Sequence, residues 1–141
     1  MAGNLLSSAP MKFCLNTSTI KPQPLLKKIE LAGTAGYDGI ELWLNDVYEF
    51  IGRGGEVSEV EKALADHGLI VPCTIAIRQW GETDGWEYEL VKDEARRRFA
   101  LAARLGAPYI VATPPLEMEH QEHLPERYRD LLQIGREEGI K

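Results

Sequence analysis

Residues 31–44 read LAGTAGYDGIELWL, a helical pattern that stops at a glycine and passes within three residues into an apolar run. Gly36 can take the left-handed backbone conformation that commonly ends a helix. The run GIELWL at 39–44 is almost continuously apolar, which is typical of a strand in a parallel sheet. The stretch therefore predicts a helix that turns directly into a parallel β-strand.

The same helix–glycine–strand pattern occurs at three more places. Gly68 precedes LIVPCTIAI, and Gly106 precedes PYIVATPP. Gly139 is followed by Ile140 and Lys141, where we expect a fifth strand to begin. The patterns predict strands at about 11–19, 39–44, 69–77 and 108–113, helices at about 24–35, 56–67, 86–105 and 125–138, and a long loop at 45–55.

Strands that alternate with helices through short glycine-marked turns predict an α/β fold with parallel pairing. An open doubly wound sheet and half of an eight-unit barrel both fit this order. The turn after the first strand, TSTIKPQP, contains no glycine, whereas a nucleotide-binding open sheet would usually carry a glycine-rich turn there. We therefore predict a (βα)4 half of a TIM barrel at residues 11–141, four of its eight units, after a flexible leader at 1–10.

The composition excludes several classes of protein. At 141 residues the chain amounts to one domain, and its 44% hydrophobic and 27% charged residues are ordinary for a globular protein. The net charge of −6 argues against a nucleic-acid partner. No apolar run approaches the roughly 20 residues of a membrane span, and the first ten residues are no signal peptide. Cys14 and Cys73 fall in predicted strands, where we expect buried free thiols and hence a cytoplasmic protein.

Glu41 is the strongest single candidate for a functional residue. It lies in the middle of the predicted strand GIELWL, between Ile40 and Leu42. A carboxylate buried there needs a partner or a solvated cavity. Two interpretations remain: a strand-end residue that reaches solvent or a lysine, and a group that points into the polar mouth of a barrel, where such enzymes have their active sites.

Four further residues are candidates for ligand contacts. Trp43 shares a strand face with Glu41, and Asn16 lies on the preceding strand, so the three side chains together suit a polyol. The alternative is that Trp43 simply fills the core. In the loop after the third strand, Arg78 and Trp80 could cover a small polar ligand, and Arg78 suits a carboxylate or phosphate. A solvated arginine is the plainer interpretation.

The chain shows no complete catalytic set. No Ser-His-Asp arrangement, no paired zinc-type cysteines and no HExxH pattern is present. We therefore expect no metal ligand among these residues.

Four segments together resemble the N-terminal half of the xylose isomerase-like barrel superfamily, which includes sugar isomerases, epimerases, inosose dehydratases and endonuclease IV. The resemblance covers about residues 11–141. It implies that Glu41 lies near the substrate pocket and that Trp43 and Trp80 help to shape it. The segments are MKFCLNTST, AGYDGIELWL, ADHGLIVPCTIAI and AARLGAPYIVATPP.

The resemblance also implies an activity. Such enzymes remove a proton alpha to a carbonyl of a sugar or sugar phosphate, with a divalent metal ion (Mn, Mg, Co or Zn) that stabilises an ene-diolate. The metal ligands and the acid–base residues of the family lie on strands five to eight, so we expect the catalytic residues beyond Lys141. A dehydratase acting on an inosose-type polyol is the nearest rival. At the places of endonuclease IV's metal-binding histidines this chain has Ile77-Arg78 and Thr113-Pro114, which argues against DNA repair.

A hypothesis from another class is a non-catalytic half barrel that closes by self-association. Four parallel units leave both edge strands unpaired, and such edges need covering. We expect a homo-oligomer on this ground.

Overall fold

The computed structural model describes residues 11–115 and 121–141, so the predicted leader at 1–10 lies outside the described residues. Four strands alternate with helices along the chain. The strands are β1 (Cys14–Asn16), β2 (Gly39–Trp43), β3 (Thr74–Ile77) and β4 (Ile110–Ala112). The α-helices are α1 (Leu25–Thr34), α2 (Leu44–Gly52), α3 (Val57–Asp66), α4 (Gly85–Arg104) and α5 (Leu124–Glu137), with short 3₁₀ turns at Thr17–Ile20 and Gln121–His123.

The sheet has the strand order of half a barrel. Its order is β1-β2-β3-β4, and every neighbouring pair is parallel. A doubly wound sheet reverses direction at a switch point, and within the described residues no reversal occurs. The prediction of an α/β half barrel is confirmed.

The two faces of the sheet differ in burial. Ile40 and Leu42 are fully buried in the core beneath the helices, whereas Glu41 and Trp43 on the opposite face are half-buried. The strand registers align this second face across all four strands. We call it the open face; it carries Cys14, Asn16, Glu41, Trp43, Cys73, Ile75 and Val111.

The four helix-ending glycines form one repeated turn. Gly36, Gly68, Gly106 and Gly139 all have positive φ angles, between 63° and 82°. In the last turn, the N–H of Gly139 donates to the carbonyl of Arg136, and the next N–H, of Ile140, donates to Gly135. The other three turns repeat the pattern, which is the Schellman motif that glycine favours.

Each turn delivers the chain to the edge of the preceding strand. The Ile70 N–H, two residues after Gly68, donates to the Asp38 carbonyl over 3.1 Å. The Lys141 N–H, two residues after Gly139, donates to the Pro108 carbonyl over 2.9 Å. Lys141 therefore pairs with the start of β4 as Ile70 pairs with the start of β2.

The prediction of a long loop at 45–55 is wrong, because most of this segment forms helix α2. Leu44 and Val47 are fully buried, and Ile51 packs against the core one turn later. This apolar spacing outweighs the turn-forming residues Asn45 and Asp46 at the start of the segment.

All four strands are shorter than predicted, the first and the third by the most. The first ends at Asn16 instead of about residue 19, because the Asn16 side chain accepts a hydrogen bond from the Ser18 N–H over 2.8 Å and the chain bends into a 3₁₀ turn. In the third, only Ile70 bridges to β2 before Thr74. Pro72 lies between them and has no N–H to donate to the ladder.

Both cysteines lie on the open face. Cys14 is exposed and Cys73 is half-buried, so the prediction of two buried thiols is wrong. The face they occupy is not covered by helices.

Among the helices of residues 11–115 and 121–141, none has the length and hydropathy to cross a lipid bilayer.

Candidate functional site

The candidate site lies at the carboxyl ends of β1 and β2, on the open face. Asn16 is the last residue of β1 and is in register with Glu41 of β2. Trp43 follows on the same face of β2 and ends that strand. The structure therefore brings these three predicted residues together, at the end of the sheet where barrels of this architecture place their ligands.

Hydrogen bonds fix the relative positions of the three side chains. The Asn16 amide Nδ2 donates to a Glu41 carboxylate oxygen, and its Oδ1 accepts from the Trp43 indole N–H over 3.3 Å. The same Oδ1 accepts from the Ser18 N–H. One orientation of the amide satisfies every one of these partners, because its nitrogen only donates and its oxygen only accepts.

Trp43 is also held through its backbone. Its N–H donates to the Thr17 hydroxyl over 3.2 Å, and Thr17 is fully buried. The indole therefore stands as a fixed wall beside the Asn16–Glu41 pair. Trp43 does not simply fill the core, because its ring lies on the open face and is only half-buried.

Cys73 is a fourth member of the site that the sequence did not indicate. The pairing of Leu42 with Thr74 places Cys73 beside Glu41. Burial raises the pKa of the Cys73 thiol, and the charge of the neighbouring Glu41 carboxylate raises this pKa further. Cys73 is therefore held as a neutral thiol beside Glu41, and its S–H donates to the Thr74 carbonyl over 3.5 Å. Alternation along the strand could have suggested this position, but the sequence alone does not give the register.

Arg78 joins the site from the end of β3. Its guanidinium carbon lies 5.6 Å from the centre of the Trp43 ring, within the range of a cation–π contact. The side chain is exposed, whereas Ile77 before it is buried. Four of the five predicted site residues therefore form one cluster: Asn16, Glu41, Trp43 and Arg78.

Trp80 does not join this cluster. Its side chain is buried in the core, its indole N–H donates to the Thr113 carbonyl over 2.7 Å, and its ring centre lies 6.0 Å from that of Tyr128. These contacts anchor the loop after β3 against β4 and α5. A ligand contact by Trp80 stays a prediction.

Arg127 is a second residue that the sequence did not indicate. It is buried, donates to the Gly81 carbonyl over 3.0 Å and to the Asp84 carboxylate, and stacks 4.9 Å from the Tyr88 ring centre. These contacts fix the loop between β3 and α4 on α5. No short motif marks such an arginine, because its partners lie more than 35 residues away in the chain.

The cluster has the chemistry of a hydroxyl-binding wall. A carboxylate accepts hydrogen bonds from hydroxyl groups, an indole face packs on C–H bonds, and a guanidinium donates. Within the part of the chain that the structure describes, no three His, Cys, Asp or Glu side chains are grouped to hold a metal ion. The described residues therefore do not fit a metal ion.

The sequence model of the xylose isomerase-like TIM barrel family matches residues 29–141. This match confirms the resemblance drawn from the four sequence segments. Among curated proteins, no sequence matches the chain.

Several solved structures share the fold. A zinc-bound IolI protein is 21% identical with a TM-score of 0.77, over 93% of this chain and 50% of its own. The probable 3-DHS dehydratase AsbF from Bacillus anthracis is 16% identical with a TM-score of 0.75, over 92% and 50%. The 3-keto-D-glucoside 4-epimerase YcjR from E. coli is 18% identical with a TM-score of 0.71, over 93% and 54%. The chain thus spans about half the length of these structures.

Proposed function

This chain belongs to the xylose isomerase-like TIM barrel family, and on that premise we propose that it supplies the substrate-binding wall of a sugar or sugar phosphate isomerase or epimerase. The hydrogen-bonded Asn16–Glu41–Trp43 cluster carries the proposal. An epimerase among the structures of similar fold supports it. We propose a cytoplasmic location for the enzyme.

The residues of this chain bind and orient the substrate. The Glu41 carboxylate accepts hydrogen bonds from two substrate hydroxyls, the Asn16 amide holds that carboxylate in place, and the Trp43 indole packs on the sugar carbons. Because Asn16 already donates to Glu41, the carboxylate needs little reorganisation when a sugar binds.

The proton transfer belongs to other residues in this proposal. We expect the acid–base pair and the ligands of a divalent metal on strands that follow Lys141. The described residues do not fit a metal ion, so we assign no metal-dependent step to them.

The test is solvent exchange at the carbon next to the carbonyl. The full-length natural protein is incubated with ketopentoses and ketohexoses in D₂O with added Mn²⁺, and deuterium uptake is followed by NMR. We expect exchange in the wild type and a loss of at least about tenfold in Glu41→Gln, which removes a charge-assisted hydrogen bond. The matched control is Glu30→Gln, an exposed glutamate of α1 that pairs with Lys27. The absence of exchange with every ketose would contradict the proposal.

A dehydratase is the second candidate, and the shared fold with a probable dehydratase favours it. Its reaction also begins with removal of a proton alpha to a carbonyl, but water then leaves and a new carbon–carbon double bond forms. The same incubation distinguishes the two: an isomer without loss of mass indicates isomerisation or epimerisation, and a product lighter by one water indicates dehydration.

The third candidate is a non-catalytic half barrel that closes by self-association. Exposed apolar side chains beside β3 and β4 favour it, since Ile70, Tyr109 and Val111 are exposed to at least 38%. In this proposal two copies pair β1 of one with β4 of the other, and the open faces enclose a shared interior.

A further inference from the structure

Arg78 carries an exposed guanidinium at the candidate site. Among residues 11–115 and 121–141, no carboxylate oxygen lies within the 4.0 Å of an ion pair with it. Most other arginines near the sheet do have such partners: Arg98 pairs with Glu94 over 2.8 Å, and Arg104 with Glu61 over 2.9 Å. The positive charge of Arg78 is therefore available to a ligand.

The loop that carries Arg78 is held in a strained and fixed conformation. Gln79 has φ of 60°, a left-handed angle that is uncommon for any residue but glycine. Trp80, the next residue, is buried and bonded to Thr113. The register of β3 against β4 also shifts between Ile75 and Ile77. Such strain persists where the surrounding packing imposes it, and it is frequent at ligand sites.

The contact with Trp43 orients the guanidinium. A guanidinium over an aromatic ring keeps its N–H groups free at its edge, where they match the two oxygens of a carboxylate or phosphate. Trp43 is itself fixed by Asn16 and Thr17. Arg78 is thus oriented by Trp43, which Asn16 and Thr17 hold in place.

We infer that the ligand of this site is a polyol with an oxyanion group, either a carboxylate or a phosphate, and that Arg78 binds this group while Glu41 binds the hydroxyls. The inference rests on the proposed function and narrows its substrate class. The carboxylate of Glu41 repels an anion, so the negative end of the ligand lies at Arg78 and its neutral end at Glu41.

The test uses the indole N–H of Trp43 as a reporter in the 141-residue chain. The ¹⁵N-labelled protein has three tryptophans, and single Trp→Phe variants assign their indole signals. The titrants are ribitol, ribonate, ribitol 5-phosphate and inorganic phosphate at low ionic strength. We expect saturable shifts of the Trp43 signal, with the dissociation constant of ribonate or ribitol 5-phosphate at least about tenfold below that of ribitol.

The variants assign that preference to a residue. Arg78→Gln should remove the tenfold preference for the anionic titrants, whereas Arg53→Gln, which alters an exposed arginine outside the site, should leave that preference unchanged. A preference for ribonate alone indicates a carboxylate substrate, and a preference for ribitol 5-phosphate alone a sugar phosphate. Both outcomes support the inference.

Several outcomes overturn the inference. If ribitol binds as tightly as ribonate and ribitol 5-phosphate, the inference is contradicted, but the proposed binding of a polyol is not. A preference that survives Arg78→Gln, or that Arg53→Gln removes equally, also contradicts it. No saturable shift with any titrant overturns the inference and the proposed wall together. Inorganic phosphate that binds as tightly as ribitol 5-phosphate through Arg78 supports an anion site but contradicts the polyol function.

Discussion

Asn16 is the residue on which the geometry of the candidate site depends, because its amide joins Glu41 to Trp43. The sequence predicted this association from strand alternation, since the three residues fall at positions that share a face. The contribution of Cys73 could not be predicted in the same way. It depends on the register between β2 and β3, and Pro72 interrupts the run from which a register would be inferred.

At Cys73 we predict slow alkylation, to which burial contributes most and the Glu41 charge contributes further. Burial and the Glu41 carboxylate both raise the pKa of the thiol, so the reactive thiolate is scarce at pH 8 to 9, near the ordinary thiol pKa of about 8.5. Glu41→Gln removes the charge and should shift the pH profile of iodoacetamide alkylation to lower pH. The measurement is made in a Cys14→Ser background. An unchanged profile would show that Glu41 does not contact the thiol.

Arg78 and Trp80 show how far a loop can be predicted from its residues. Both were predicted to contact a ligand, but they have opposite surroundings: Arg78 is exposed over Trp43, and Trp80 is buried against Tyr128. Gln79 lies between them, and its left-handed backbone conformation turns the chain. Such a conformation at a non-glycine residue could not be predicted from the sequence.

At the scale of the elements, the glycine-ended helices were predicted well because their signal is local. A C-terminal glycine and an apolar stripe lie within one helix, so α1, α3, α4 and α5 begin and end within about two residues of their predicted bounds. Helix α2 was missed because its start coincides with Asn45 and Asp46. Its apolar face becomes recognisable only against the strands and helices that bury Leu44 and Val47.

Two glycine-to-alanine changes should have opposite effects on stability, because only one of the two glycines lies in the repeated turn. Gly106 has φ of 78°, so Gly106→Ala should destabilise the protein by about 1 kcal/mol although an added Cβ meets no neighbour. Gly52 ends α2 with a helical backbone and equally open surroundings, so Gly52→Ala should stabilise it by up to about 1 kcal/mol. Urea unfolding measures both. Equal effects would mean that the backbone angle of Gly106 does not matter.

An ion pair with a buried lysine joins helices α1 and α2, and we predict that replacing its two residues has unequal effects on stability. The Lys28 ammonium, 2% exposed, lies 2.6 Å from the Asp46 carboxylate, which is 25% exposed. Asp46→Ala strands a buried charge and should cost about 3 kcal/mol of unfolding free energy, whereas Lys28→Met should be near neutral. The control is the exposed pair Lys27–Glu30, where Glu30→Ala should cost less than about 1 kcal/mol. Equal losses at Asp46 and Glu30 would show that Lys28 reaches water.

At the scale of the molecule, the open face and the edge of β4 are the features that distinguish this fold from a closed barrel. The face holds a polar site at the carboxyl end of the strands and apolar or thiol side chains elsewhere. In a closed barrel the side chains of this face point into the interior, so both faces of each strand are buried. This explains why the strands have nearly continuous apolar runs although one of their faces is open here.

The third candidate, a half barrel that closes by self-association, predicts that the 141-residue chain associates through this face. Val111→Lys places a charge on the open face and should shift the protein towards monomer in sedimentation velocity over a range of concentrations. Leu90→Lys alters an exposed leucine of α4 and should leave the association unchanged. A wild type that stays monomeric throughout, or equal effects of the two variants, would contradict the prediction.

The most direct test of the substrate-binding wall is saturation-transfer difference NMR with ketoses, comparing the wild type with Glu41→Ala and Glu30→Ala. The account predicts transfer from the protein to the sugar C–H protons in the wild type and in Glu30→Ala, where the Trp43 wall and the Glu41 carboxylate are intact. It predicts loss of that transfer in Glu41→Ala. Equal transfer in all three proteins, or none in the wild type, would contradict the claim that Asn16, Glu41 and Trp43 bind the sugar.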